Sequence, residues 1–191
     1  MFEQFSWLNE PESWSVENDV LDVVTDKDTD FWRKTFYGFE RDSGHFFGAL
    51  TGASFTAQVK VSGDFEELYD QAGLMVRVDA LKWAKISVEI NDGVLHLSTV
   101  VNNEVSDWST SVFLGQHQAV WLRATVESGS LRVQASYDGL KWPLIRLAPF
   151  PNSESYLVGP MACSPKRGGL KVRFSDLTIS PANGKELHDL S

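Results

Sequence analysis

The stretch WAKISVEI (residues 83–90) alternates without a break: Ala84, Ile86, Val88 and Ile90 fall on one side of an extended chain, and Trp83, Lys85, Ser87 and Glu89 on the other. A period of two is the mark of a strand with one face in a core. SFTAQVKVS (54–62) repeats the pattern, with Phe55, Ala57, Val59 and Val61 inward and Thr56, Gln58 and Lys60 outward. Working outward, WSVEN (14–18), VLDVVT (20–25), HFFGAL (45–50), QAGLMVRVD (71–79), VLHLSTVV (94–101), VWLRATVE (120–127), LRVQASYD (131–138), LIRLAP (144–149), YLVGPMACS (156–164) and LKVRFSDLTIS (170–180) also read as strands. Asn91-Asp92-Gly93, Ser128-Gly129 and Asp138-Gly139 separate runs as hairpin turns, because Gly and Asn accept the positive φ that tight turns require. No long segment keeps a 3.6-residue period. The expectation is an all-β, two-sheet antiparallel sandwich of the jelly-roll type, with helix limited to a turn or two.

The 191 residues suit a single domain spanning 1–191, with its core at about 5–180 and a polar tail, PANGKELHDLS, at 181–191. A formal charge of −9 disfavours nucleic acid and anionic membranes as partners, since both favour a basic surface. The N-terminus lacks a basic region followed by an apolar run, and no stretch approaches the roughly 18 apolar residues of a spanning helix. Cys163 is the sole cysteine, so no internal disulfide forms. A cytoplasmic location is expected.

The outward faces carry more information than the strand order. Gln71, Met75 and Arg77 share one face, Trp83, Lys85 and Glu89 the next, His96 and Ser98 follow, and then Trp121 and Arg123. Opposite them stand Leu74, Val76, Ile86, Val88, Leu95, Leu97, Leu122 and Val126, which belong to a core. If these strands are neighbours, a single sheet presents aromatic, cationic, acidic and amide side chains together. That set suits a carbohydrate groove, in which flat rings stack on sugar faces and polar groups bond hydroxyls. Exposed Lys, Arg and Glu also occur on ordinary solvated sheets, where cross-strand pairs contribute only ~0.2–1 kcal/mol. Trp83 and Trp121 favour the groove.

TDFWRKTFYGFERDSGHFF (29–47), YDQAGLMVRVD (69–79), WAKISVEI, SDWS (106–109), SYDGLKW (136–142) followed by Arg146, and VGPMACSP (158–165) together resemble a concanavalin A-like family of unknown function that includes a fungal regulator-of-enolase protein. The likeness covers roughly residues 5–180 and implies a jelly roll of the lectin and glucanase superfamily. It matches Asp30, Phe31, Trp32, His45, Tyr69, Asp70, Gln71, Trp83, Lys85, Glu89, Ser106, Asp107 and Trp108 to motif positions, and implies little about activity. SDWS reads as a turn that brings Asp107 and Trp108 from a loop to the sheet.

Retaining glucanases of this shape carry two or three carboxylates on one strand, because their nucleophile and acid stand about 5–5.5 Å apart. Glu89 is alone on its strand, so a hydrolase would have to borrow Asp107 or Glu67. Asp26, Asp28 and Asp30 imitate the opening of a calcium loop, but Phe31 and Tyr37 occupy its glycine and glutamate positions. His45, His96, His117 and His188 lack metal-ligand spacing, and Cys163 reads as a small buried residue. Gly168-Gly169 after Lys166-Arg167 fits an anion or an ordinary turn.

The residues therefore point to a binding protein with no cofactor, metal or catalytic set. Its expected ligand is a carbohydrate or related polar metabolite, held by Tyr69, Gln71, Arg77, Trp83, Lys85, Glu89, Asp107, Trp108, Trp121 and Arg123. The alternatives are a module that docks on a metabolic enzyme, and a glycoside hydrolase with an unusual acid pair.

Overall fold

The computed structural model describes residues 2–113, 115 and 118–191; His117 lies outside the described residues. The alternating runs form two seven-stranded antiparallel sheets, with strands numbered in chain order. The first sheet runs β1 (Ser6–Leu8), β6 (His45–Gly52), β15 (Ser155–Cys163), β8 (Gln71–Arg77), β9 (Lys82–Asn91), β10 (Val94–Asn103) and β11 (Val105–Val112). The second runs β14 (Leu144–Pro149), β13 (Ser130–Ser136), β12 (Val120–Glu127), β7 (Phe55–Gly63), β16 (Lys171–Ser180), β3 (Val20–Val24) and β2 (Ser13–Glu17). A separate ribbon joins β4 (Phe31–Arg33) to β5 (Glu40–Asp42). The only helical element among the described residues is a turn at Phe2–Gln4, and no helix is long and apolar enough to cross a membrane.

Leu74, Val76, Ile86 and Val88 of the first sheet meet Ala57, Val59, Leu122 and Val126 of the second in a continuous core. This is the jelly-roll sandwich that the alternation implies. Asp92 and Gly93 (φ 51° and 77°) turn β9 into β10, and Ser128 and Gly129 (φ 51° and 73°) turn β12 into β13. Asp138-Gly139 opens a longer loop, because the Asp138 carboxylate accepts the Leu140 and Lys141 amides at 2.8 and 2.9 Å. In β8, Gly73 permits close approach: a Cβ there would run into the Ile86 carbonyl oxygen of β9.

Three expectations are corrected. SDWS is part of edge strand β11, paired along its length with β10, and the turn lies one step earlier at Glu104 (φ 67°). Its polar composition is that of an edge strand, which hid it. Trp121 and Arg123 belong to β12 in the second sheet, because alternation reveals which side chains share a face and not which sheet a strand joins. The face carrying Gln71, Arg77, Trp83, Lys85 and Glu89 is buried, since the segment leading into and through the β4–β5 ribbon folds over it. Phe31, Trp32, Phe46, Met75, Trp83, Val100, Met161 and Cys163 form a second small core beneath that cover. Residues 181–191 lie against the outer face of the second sheet: Arg132 donates to the Lys185 carbonyl at 2.9 Å, and the Trp142 amide donates to Leu190 at 2.9 Å.

Candidate functional site

Beneath the ribbon lies a cavity of about 200 Å³. Gln71, Lys85 and Glu89 line it from β8 and β9, Val100 from β10 and Trp108 from β11; Asp30, Trp32, Tyr37 and Phe39 come from the covering segment, with Tyr69, Pro165 and Lys166 from loops. Pairing explains the clustering. Gln71 lies opposite Glu89 across β8 and β9, and Lys85 lies opposite Val100 across β9 and β10, so all four share the covered face.

Lys85 is 2% exposed, and its ammonium donates to Asp30 Oδ1 at 3.1 Å. Burial alone would lower its pKa, but attraction led by the Asp30 carboxylate outweighs burial and the net shift is upward. Asp30 Oδ1 also accepts the Phe31 amide at 2.8 Å, while the Ser43 and Gly44 amides donate to the Asp30 carbonyl. The carboxylate is thus fixed by its own backbone before it meets the lysine.

Glu89 is 2% exposed, and burial pushes its carboxyl above the ordinary glutamate value, against the pull of Lys85 and the Ser98 hydroxyl. Ser98 Oγ accepts the Trp108 indole N–H at 3.0 Å, so one hydroxyl links the aromatic wall to the acid. The phenols of Tyr69 and Tyr37 are 2.9 Å apart, and that hydrogen bond, with burial, raises Tyr69 to about 12. Gln71 donates from Nε2 to the Tyr69 carbonyl at 3.2 Å, whereas its buried Oε1 has no partner. The floor therefore sets a carboxyl group and a glutamine with a buried, unpartnered amide oxygen between aromatic walls: Trp32 stands edge-on to Trp108 at 6.0 Å and to Tyr37 at 5.7 Å.

Of the ten residues expected to bind ligand, Tyr69, Gln71, Lys85, Glu89 and Trp108 meet at this cavity. Trp83 lies under it, 6.0 Å from the Phe31 ring, with no surface open to a ligand. Arg77 grips Asp42 through two 2.8 Å hydrogen bonds and anchors β5. Asp107 points away, paired with Arg146 at 2.7 Å. On the opposite sheet, the Trp121 indole donates to Asp176 at 3.2 Å, and Arg123 stacks 3.5 Å above the Trp142 ring. Burial and neighbouring Arg132 draw Arg123 down to about 10.

Tyr37, Phe39, Val100, Pro165 and Lys166 line the cavity without having been singled out, and Asp30 and Trp32, matched to motif positions, join them although they were not among the expected ligand contacts. The available signal was the aromatic run FWRKTFYGF (31–39), together with the need of any buried lysine for a carboxylate. Asp70 of the YDQAG motif has a structural role: wholly buried, it accepts the Glu66 and Glu67 amides, the Ser164 hydroxyl and Arg167. His45 donates from Nδ1 to the Asn9 carbonyl at 2.7 Å and accepts the Asp26 amide on Nε2 at 3.0 Å, which uses both ring nitrogens. Among the described residues, no three His, Cys, Asp or Glu side chains are grouped to hold a metal ion.

The family described as "Protein of unknown function (DUF1349)" matches residues 7–182. "Regulation of enolase protein 1" of Saccharomyces cerevisiae is 58% identical over 188 residues, which cover 98% of this chain and 95% of that protein. A solved structure of a functionally unknown Saccharomyces cerevisiae protein superposes with a TM-score of 0.93 at 56% identity, covering 96% of this chain and 99% of the other. The GH43 protein BlXynB of Bacillus licheniformis gives a TM-score of 0.68 at 15% identity, over 93% of this chain and 37% of that one. At that identity the likeness is one of fold alone.

Proposed function

We propose that this chain, which belongs to the DUF1349 family of proteins of unknown function, is a non-catalytic binding protein whose covered cavity takes a carbohydrate or a related polar metabolite. One observation carries the reading. Gln71 lines the cavity together with Glu89, and its buried Oε1 has no hydrogen-bond donor. A buried acceptor left unpaired costs about 1–3 kcal/mol, which a ligand hydroxyl would relieve. Lys85 is committed to Asp30, so the floor favours a ligand rich in hydroxyl donors, and Trp32, Tyr37 and Trp108 offer apolar walls for the carbon skeleton. The volume lies below the roughly 300–1,000 Å³ of drug-sized sites and suits a single small ring.

A regulatory role in sugar metabolism, exerted on a metabolic enzyme, is the setting we propose for this binding. It is supported by the name of the 58% identical yeast relative. A cytoplasmic location fits a lone, unpaired, buried cysteine. The hydrolase alternative loses its expected acid pairs, since neither Asp107 nor Glu67 lines the cavity with Glu89.

The test is a calorimetric screen of monosaccharides, polyols and sugar acids, followed by Glu89→Gln. If Glu89 bonds a ligand hydroxyl, affinity falls by about 1.5–3 kcal/mol with no product formed at any stage. Turnover that vanishes in Glu89→Gln at unchanged affinity would convert the reading to catalysis. Absence of binding across the screen would leave the enzyme-docking role as the better account.

A further inference from the structure

Trp32, Tyr37, Tyr69 and Trp108 all line the covered cavity, and they touch one another in a closed circuit. Trp32 meets Trp108 at 6.0 Å and 87°, and Trp108 meets Tyr69 at 6.4 Å and 72°. The Tyr69 and Tyr37 hydroxyls are 2.9 Å apart, and Tyr37 returns to Trp32 at 5.7 Å and 72°. Rings packed nearly at right angles form the walls of a box rather than one flat platform. Their polar ends are already engaged: the Trp32 indole donates to the Thr35 carbonyl at 3.0 Å, the Trp108 indole donates to Ser98 Oγ at 3.0 Å, and the two phenols bond each other. What the walls have left to offer is the negative face of each π system. Tyr69 holds its place in a left-handed conformation (φ 69°), strained for a bulky residue, with its amide bonded to the Ile90 carbonyl at 2.9 Å.

The floor adds charge that suits those faces. Asp30 and Glu89 bring two carboxyl groups to one buried lysine, and Lys85 forms its ion pair with Asp30 at 3.1 Å. Glu89, 2% exposed, is left without an ion-pair partner among the described residues. Burial holds its carboxyl above the ordinary value, a penalty on the ionised form that a cation beside it would relieve. The other cation lining the cavity, Lys166, is exposed on the loop after β15, where solvent screens it. We infer that the cavity takes a methylated ammonium group on a small hydroxylated metabolite of the choline type, with the aromatic box around its N-methyl carbons and Glu89 as counter-charge. A quaternary ammonium has no N–H to donate, so it draws on π faces and a nearby anion and has no use for the polar ends that the rings share among themselves. The inference rests on the reading of the cavity as a site for a polar metabolite, and narrows that metabolite to a cation.

The experiment measures calorimetric affinities for choline, for dimethylbutanol, its uncharged isostere with carbon in place of nitrogen, and for glucose. Choline should bind wild type at least about tenfold tighter than the isostere, as a desolvated cation–π site provides. Tyr37 is 44% exposed, so Tyr37→Leu alters the box with little risk to folding. It keeps an apolar side chain without a π face, and should weaken choline roughly three- to tenfold while leaving the isostere within about twofold; Tyr37→Phe should stay within about threefold of wild type for choline. Glu89→Gln should narrow the gap between choline and the isostere, because it removes the counter-charge. Choline that binds no tighter than the isostere, or a gap unchanged in both Tyr37→Leu and Glu89→Gln, overturns the cationic ligand. Glucose that binds while choline does not overturns it as well, and leaves the carbohydrate reading standing. If none of these probes binds, the ammonium is overturned and the carbohydrate reading is decided by its own screen. A trimethyllysine peptide that binds tighter than choline would overturn the small-molecule occupant.

Discussion

Asp30→Asn tests the electrostatic foundation of the site. The substitution keeps the side chain's shape and an Oδ1 that can still accept from the Phe31 amide and from Lys85, so what it removes is the charge. Two unit charges 3.1 Å apart attract by about 5 kcal/mol at an effective dielectric of about 20. The desolvation already endured by both groups is not returned, and Glu89 remains to stabilise the lysine in part, so the loss expected is about 3 kcal/mol. For a chain of 191 residues that corresponds to a fall in Tm of roughly 6–12 °C. Urea denaturation should show the midpoint falling with the slope unchanged. Asp30→Asn combined with Lys85→Met removes both charges and should recover at least about 1 kcal/mol over the single variant. A single variant within about 0.5 kcal/mol of wild type, or a double variant less stable than the single, would refute this account of the ion pair.

Two pH effects follow from the same groups. Glu89 is raised in the folded protein, so its contribution to stability is full below the ordinary glutamate value of 4.5 and is lost as pH rises through its folded value; Glu89→Gln should therefore gain stability relative to wild type at pH 7, and the gain should disappear near pH 4 in parallel thermal melts. Lys85 is raised as well, so its contribution holds below 10.5 and is lost at higher pH, and Lys85→Met should show a flatter alkaline limb. Tyr69 should be among the last tyrosines to ionise in an ultraviolet absorbance titration, near 12, and Tyr37→Phe should bring that phenol back toward 10 by removing its principal cause. An unchanged titration in Tyr37→Phe would mean that burial alone raises it.

Strand β9 could be read from residues 83–90 because its period is local: each side chain's face follows from its neighbour's. The inward set, from Leu74 to Val126, reached the core as the pattern required, with Leu95 packed at its edge. The layer above the outward set was not legible. β4 and β5 are three residues each, too short to display a period, and Asp30 meets Lys85 across 55 positions of sequence. Trp83 and Glu89 have the same alternation, yet one is sealed under Phe31 and the other faces a cavity; only the path of a distant loop decides between them. Trp121 and Arg123 likewise satisfied the pattern of an outward face, but the order of strands in a jelly roll is set by long crossovers that leave no trace in a single run.

Cys163 sits at the base of the second small core, fully buried, with its thiol 3.6 Å from the Met161 sulfur and pushed upward in pKa by burial. Gly44 leaves just enough room for the Phe31 ring beside it, since a Cβ at position 44 would strike both the ring and the sulfur. A soluble disulfide reagent cannot reach that sulfur, nor find it as thiolate, while the 30–44 segment is seated. Because no other cysteine exists in the chain, labelling reports this one site, and labelling faster than global unfolding allows reports the lifting of the segment. The molecule therefore carries its own clock for the opening of its cover, readable in unmodified protein, and any compound that lodges beneath the cover should slow that clock in proportion to how firmly it holds the segment down.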